Sequence, residues 1–433
     1  MTSTADRASD HSSGHSLGAE IVPPPPATAG QYVVLDTLRA VGALCVLTTH
    51  TAFESGAYVG HGLWGTMLAR LDVGVAIFFV LSGFLLSRPF LARGLPGGRE
   101  VATRRYLWKR FLRIWPVYVV TVVVALVLIQ RNSGLGLADW VTTLLMLNTF
   151  VDPALPYGLT HMWSLAVEVT FYLALPPLML LAVGRTLRPW RVLAVLAALS
   201  ALSVWWHLDG ADRIGEATTG SPHQWLPAYL IWFVLGIGLA LVTLLLDQAR
   251  REGRSPGRVV AGIAAAGAQP GVCWVAALGV FLVASTPLAG PTLLAPLTPA
   301  ESLTKNLLYA VIGVLLVASG VFAVEDGRFT RTFGRLWLRR LGWISYSLFC
   351  LHMSVLQLVW WATGWPIFGG HALEVWLITL AVSLVVADVA YRVVERPALR
   401  LKTARLGSAG NRGRRGRRSG SDASTEASET SSR

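Results

Sequence analysis

Ten apolar runs, each about the 20 residues a helix needs to cross the hydrocarbon core of a bilayer, divide this chain of 433 residues. They lie at approximately 33–53, 71–91, 111–130, 160–183, 190–207, 225–246, 271–288, 305–324, 341–361 and 373–395. In lipid every backbone N–H and C=O must be bonded within the protein, and a helix does this inside one segment. The runs therefore predict an all-α integral membrane protein with ten transmembrane helices. The composition agrees: 14% of residues are charged, against about 25% in soluble domains. A further apolar stretch, "LADWVTTLLMLNTF" at 137–150, is too short to span and is followed by Asp152 and two prolines. It reads as an interfacial or re-entrant segment.

Charge fixes the orientation, because Lys and Arg collect in cytoplasmic loops. With the N-terminus inside, all but six of the 37 basic residues fall in segments assigned to the cytoplasm. The six are Arg39 and Arg392 within spans, and Arg70, Arg131, Arg213 and Lys305 outside. Both termini are thus predicted to be cytoplasmic, in the plasma membrane. Residues 1–32 read as a disordered tail without a cleavable signal, and 401–433 as a partly basic one. The net charge of +13 fits contact with anionic lipid better than nucleic acid, which is not an expected partner. Cys45, Cys273 and Cys350 are scattered singly and read as packing residues, and no metal-ligand spacing occurs.

Ionisable residues inside spans are costly and mark tasks or partners. Arg39 and His50, eleven residues apart on the first run, share one helical face about 16 Å apart along the axis. On the fourth run "THMWSLAVEVTFY" sets His161, Ser164 and Glu168 at i, i+3 and i+7, again on one face. His161 starts at the same outer level as His50, and Glu168 lies about two turns deeper. Ser82-Gly83 on the second run allows close helix approach. Arg110 and Arg113 project together near the inner end of the third run, where they suit an anionic ligand. The ninth run, "LGWISYSLFCLHMSVL", offers Tyr346 and His352, the latter reading more as a packing histidine than a ligand contact. Asp388 and Arg392 read as an ion pair. Glu395 precedes Arg396 and Pro397, where the last helix is expected to stop.

Together these segments resemble the acyltransferase 3 family of integral membrane proteins, over residues 33 to about 400. The marks are "LDTLRAVGALCVLTTH", "GVAIFFVLSGFLL", "KRFLRIWPVY", "HMWSLAVEVTFY", "LGWISYSLFCLH" and "VVERP", in that order. Val169 departs from the family, which often places a second acidic residue after the Glu168 position. The resemblance implies an O-acyltransferase that moves an acyl group, commonly acetyl, from cytoplasmic acyl-CoA to a hydroxyl of a glycan or macrolide-like acceptor. It makes Arg39 and His50 the essential Arg and His, and Arg110 and Arg113 the donor-binding Arg-x-x-Arg pair.

On this expectation acyl-CoA is a substrate, and no cofactor is permanently bound. His50 is the general base, with Glu168 or His161 orienting it or stabilising its imidazolium. Arg39, Arg110 and Arg113 hold the donor. Ser82, Ser164, Tyr346, His352 and Glu395 are candidate substrate contacts. The rival is a proton-coupled carrier or lipid-linked glycan flippase, with His50, His161 and Glu168 as a proton relay.

Overall fold

The structure, a computed structural model, describes residues 32–152, 154–292 and 295–404. The predicted tails therefore lie almost wholly outside the described residues. Among those residues the fold is entirely helical. Nine helices are long and apolar enough to cross a membrane: α1 Val33–Glu54, α2 Gly62–Arg93, α3 Thr103–Leu128, α4 Thr160–Val183, α5 Pro189–Gly215, α6 Pro222–Arg251, α9 Pro299–Val321, α10 Leu336–Thr363 and α11 Ala372–Lys402. Between α6 and α9 lie α7, Arg258–Gly267, and α8, Pro270–Ala284, which meet at a bend of 84°. The chain is a multi-pass membrane protein.

The bent pair corrects the expected seventh span. Pro270 opens a fresh helix instead of continuing one, since its ring cannot sit within the preceding turn. The 15 residues of α8 rise only about 22 Å, short of the hydrocarbon thickness. Only if α7 and α8 count as one broken span does the number reach ten. The 137–150 stretch forms two short helices, Leu137–Leu144 and Asn148–Val151, neither long enough to span.

Two helix ends also differ from expectation. Helix α3 starts at Thr103, eight residues before the apolar run, because the Arg and Lys residues that leave the lipid are themselves good helix formers. Arg110 and Arg113 thus stand inside a helix, near the start of the apolar run. At the other end Pro397 does not stop α11. A π turn at Tyr391–Glu395 precedes it, and the helix resumes at Arg396. The wider turn shifts the hydrogen-bond pattern just where proline lacks an N–H.

Glycines set the closest helix crossings. A Cβ on Gly83 would overlap the Phe233 carbonyl, and one on Gly236 the Val80 carbonyl, so α2 and α6 touch backbone to backbone. A Cβ on Gly342 would overlap the Asp36 carbonyl, which brings α10 equally close to α1. Such small residues replace the hydrophobic drive that lipid removes. At the periphery α11 presents Leu377, Val382, Val385, Val389 and Val393 outward, and α5 presents Leu193 and Leu202, the surface a bilayer requires. Asp388 and Arg392 pair at 2.8 Å on α11, as the i, i+4 spacing suggested.

Candidate functional site

Helix α1 runs through the centre of the bundle, and the two ionisable residues that distinguish it face different chambers. Arg39 lines a cavity of about 190 Å³ between α1, α2, α3, α4 and α10. Arg110, Arg113, Ser82, Ser164, Glu168 and Tyr346 line it too. The structure therefore brings together most of the site residues picked out from five separate runs.

Their charges are not equivalent. Arg39 is salt-bridged to Asp36 at 3.2 Å, and Asp36 also meets Arg339 at 3.3 Å. Arg113 is bonded to Glu395, whose side chain is fully buried. The second Glu395 oxygen accepts from Ser347 Oγ at 2.8 Å. Arg110, by contrast, makes no ion pair among the described residues; its guanidinium lies 5.8 Å over the Tyr172 ring and its Nε has no hydrogen-bond partner. Glu168 accepts from Ser82 Oγ at 2.5 Å and from Tyr172 Oη at 2.7 Å. Among the described residues the cavity thus holds one cation, Arg110, outside any ion pair, and one carboxylate whose Oε1 accepts from two hydroxyls. Tyr346 donates to the Ile114 carbonyl at 2.7 Å, and its ring lies under Arg113.

At its far end this chamber is closed by apolar side chains. Phe78 and Phe349 meet edge to face, with centroids 5.9 Å apart, and both line the cavity. Behind Phe349 stand three histidines. The His161 ring is 5.0 Å from Phe349 and 4.6 Å from His352, and His50 is 5.2 Å from His352.

The histidine hydrogen bonds assign the tautomers. His352 Nδ1 lies 2.7 Å from the Phe349 carbonyl, which can only accept, so Nδ1 carries the proton. A neutral His352 then has a lone pair on Nε2. His50 Nδ1 lies 2.9 Å from that Nε2 and must donate to it. The remaining nitrogen of His50, Nε2, is left as a proton acceptor. This ordering, carbonyl to imidazole to imidazole, holds the His50 ring in one orientation and one tautomer. His161, 3% exposed, has no hydrogen-bond partner on either ring nitrogen among the described residues.

Two expectations are corrected here. Glu168 does not orient His50. His161 sits in a 3-10 turn ahead of the helix proper, and Glu168 lies further along α4, where Ser82 and Tyr172 take its oxygen. His352 is not mere packing, since its ring, 0% exposed, fixes His50. Among the described residues His161 makes no hydrogen bond to His50 or Glu168.

Glu54 is among the polar residues that escaped the sequence reading. Glu54, four residues after His50 on α1, is held by Gln357 Nε2 at 2.7 Å and Trp360 Nε1 at 2.7 Å. It shares with His50 a cleft of about 370 Å³. Its i, i+4 spacing from His50 was the available signal, lost because the apolar run ends just before it. Among the described residues no group of three or more His, Cys, Asp or Glu is arranged to hold a metal ion.

The model of the acyltransferase domain that defines the acyltransferase 3 family matches residues 32–392. The chain belongs to that family. This acyltransferase is 24% identical to nodulation protein 10 of Rhizobium leguminosarum, over 87% of its own length and 96% of that protein's. It is 26% identical to acyltransferase MdmB of Streptomyces mycarofaciens, over 85% of this chain and 91% of the relative. Peptidoglycan O-acetyltransferase OatA of Listeria monocytogenes is 24% identical over 84% of this chain, but the match spans 55% of that longer protein. No solved structure matches the chain.

Proposed function

We propose that this acyltransferase moves an acetyl group from acetyl-CoA to a hydroxyl of its acceptor, with His50 as general base. The donor comes from the end of the bundle that carries the basic loops, which the charge distribution makes cytoplasmic in the plasma membrane. The observation that carries the reading is the placement of Arg110. Among the described residues it is a cation without an ion pair, in a chamber that also holds Arg39, while His50 stands further along the same helix as Arg39.

In this reading Arg110 binds a donor phosphate, and Arg113, already committed to Glu395, shapes the wall beside it. Arg39 guides the pantetheine arm. The thioester then passes Phe78 and Phe349 to reach the histidines. His50 Nε2 takes the proton of the acceptor hydroxyl as its oxygen attacks the thioester carbonyl. His352 steadies the resulting imidazolium through the Nδ1 bond, and His161 bonds the oxygen that gains charge. Collapse expels the CoA thiolate, which takes up the proton from His50. Glu168 keeps Ser82 and Tyr172 in place along the arm.

Isothermal titration of the purified protein with acetyl-CoA tests the donor half. Arg110→Ala should weaken binding by about ten- to a hundredfold, the magnitude of a charge-assisted hydrogen bond of about 1.5–3 kcal/mol. Unchanged affinity in a properly folded Arg110→Ala protein would remove the chamber from donor binding.

A further inference from the structure

Helices α1 and α10 run side by side, and each end of their contact carries a buried carboxylate of α1 bonded to an indole of α10. At the end near the basic loops Asp36, 1% exposed, accepts from Arg339 Nε and Trp343 Nε1, both at 3.3 Å. At the other end Glu54 closes α1 and accepts through both oxygens. Gln357 Nε2 lies 2.7 and 2.9 Å from them, and Trp360 Nε1 is 2.7 Å from the second. The turn after α10 adds a backbone bond there, from the Phe368 N–H to the Glu54 carbonyl at 2.7 Å.

The spacing of these groups matches. Asp36 and Glu54 are eighteen residues apart, and so are Arg339 and Gln357. Eighteen residues make about five whole turns, or about 27 Å. Both carboxylates therefore stand on one face of α1, and their partners on one face of α10, at equal separations. Two fastenings so placed fix how far one helix can slide along the other. Lipid gives helices no hydrophobic drive to associate, so bonds between them carry that task.

The His50–His352 bond lies just inside the outer fastening. Four residues separate His50 from Glu54, and five separate His352 from Gln357. The bond is 2.9 Å long, and a stretch of about half an ångström takes such a bond out of range. With it would go the tautomer that leaves His50 Nε2 free to accept. The reaction above gives Glu54 no part of its own. Both its oxygens already accept from Gln357 and Trp360, which makes it a fastening and not a second base.

We infer that Glu54 is a positioning residue for the base: it holds α1 against α10 in the register at which His50 Nδ1 meets His352 Nε2. The inference rests on the reading of His50 as general base.

The test follows CoA release from acetyl-CoA, with water as acceptor, by the full-length protein in nanodiscs. Glu54→Gln leaves one acceptor oxygen for donors from two side chains and should lower turnover by about ten- to a hundredfold, with acetyl-CoA affinity unchanged. Adding Gln357→Glu returns a carboxylate to the pair and leaves an amide oxygen for Trp360, so most of the rate should come back. In a His352→Phe background Glu54→Gln should cost less than about a further twofold, since the bond it protects is already gone. Trp360→Phe removes one donor but keeps a ring. It should show a smaller loss by the same route, and it carries the test if Glu54→Gln does not elute monodisperse. Turnover of Glu54→Gln within about twofold of wild type, no recovery in the exchanged pair, or an equal loss with and without His352 would overturn the assignment. If wild type itself releases no CoA, the acyl-transfer reading falls and the inference falls with it. If wild type releases CoA and Glu54→Gln matches it, the inference alone falls.

Discussion

At the scale of the residue, the account turns on one proton, the one on His50 Nδ1. With that proton given to His352, Nε2 is the basic atom, so His50→Gln should cost about 10²–10⁴-fold in turnover, the usual contribution of general-base catalysis, with donor affinity intact. His352→Gln keeps an acceptor for the His50 proton and should retain part of the rate that His352→Phe loses, with kcat falling rather than KM rising. Equal loss in both His352 variants would mean that the ring only fills space. Arg113 calls for a different experiment from Arg110. Removing it strands the buried Glu395 carboxylate, a loss towards the low end of about 3–5 kcal/mol because the Arg113 side chain retains 23% exposure. Arg113→Ala should therefore unfold at lower temperature, and Arg113→Ala with Glu395→Gln should recover much of the difference. The sequence announced His50 and His161 by their common depth in two spans. It could not announce the His50–His352 bond or the Arg113–Glu395 pair, because each joins residues hundreds of positions apart and helix periodicity reports only on neighbours along one helix.

At the scale of the element, apolar runs located the helices well where lipid or protein surrounds them evenly, as in α1, α4 and α6. They failed where backbone chemistry intervenes. Pro270 splits α7 from α8, and the π turn before Pro397 lets α11 run on; neither leaves a mark in hydropathy. The contact of α2 with α6 is set by Gly83 and Gly236, and it positions Ser82 against Glu168. A valine at Gly236 would strike the Val80 carbonyl, forcing the helices apart at about 1–3 kcal/mol or more. Gly236→Val should lower the unfolding temperature and reduce transfer. Gly238→Ala, on the same helix with nothing near its would-be Cβ, should leave both unchanged. Similar behaviour of the two variants would show that the close crossing does not matter.

At the scale of the whole molecule, a chamber lined by arginines is separated by Phe349 from a cluster of three histidines. Such a division suits a reaction whose donor and acceptor approach from opposite faces. Reporter fusions within 250–258 should read cytoplasmic and those within 209–221 external; the reverse would place the arginine chamber on the wrong side for acyl-CoA. The most direct measurement is release of CoA from acetyl-CoA by the purified protein, with acetyl-CoA binding followed in the same sample for wild type and His50→Gln. The account predicts that both proteins bind the donor alike, that wild type releases CoA, and that His50→Gln does so at least about a hundredfold more slowly. Release by His50→Gln at the wild-type rate would contradict it, and would leave the three histidines without a part in the chemistry.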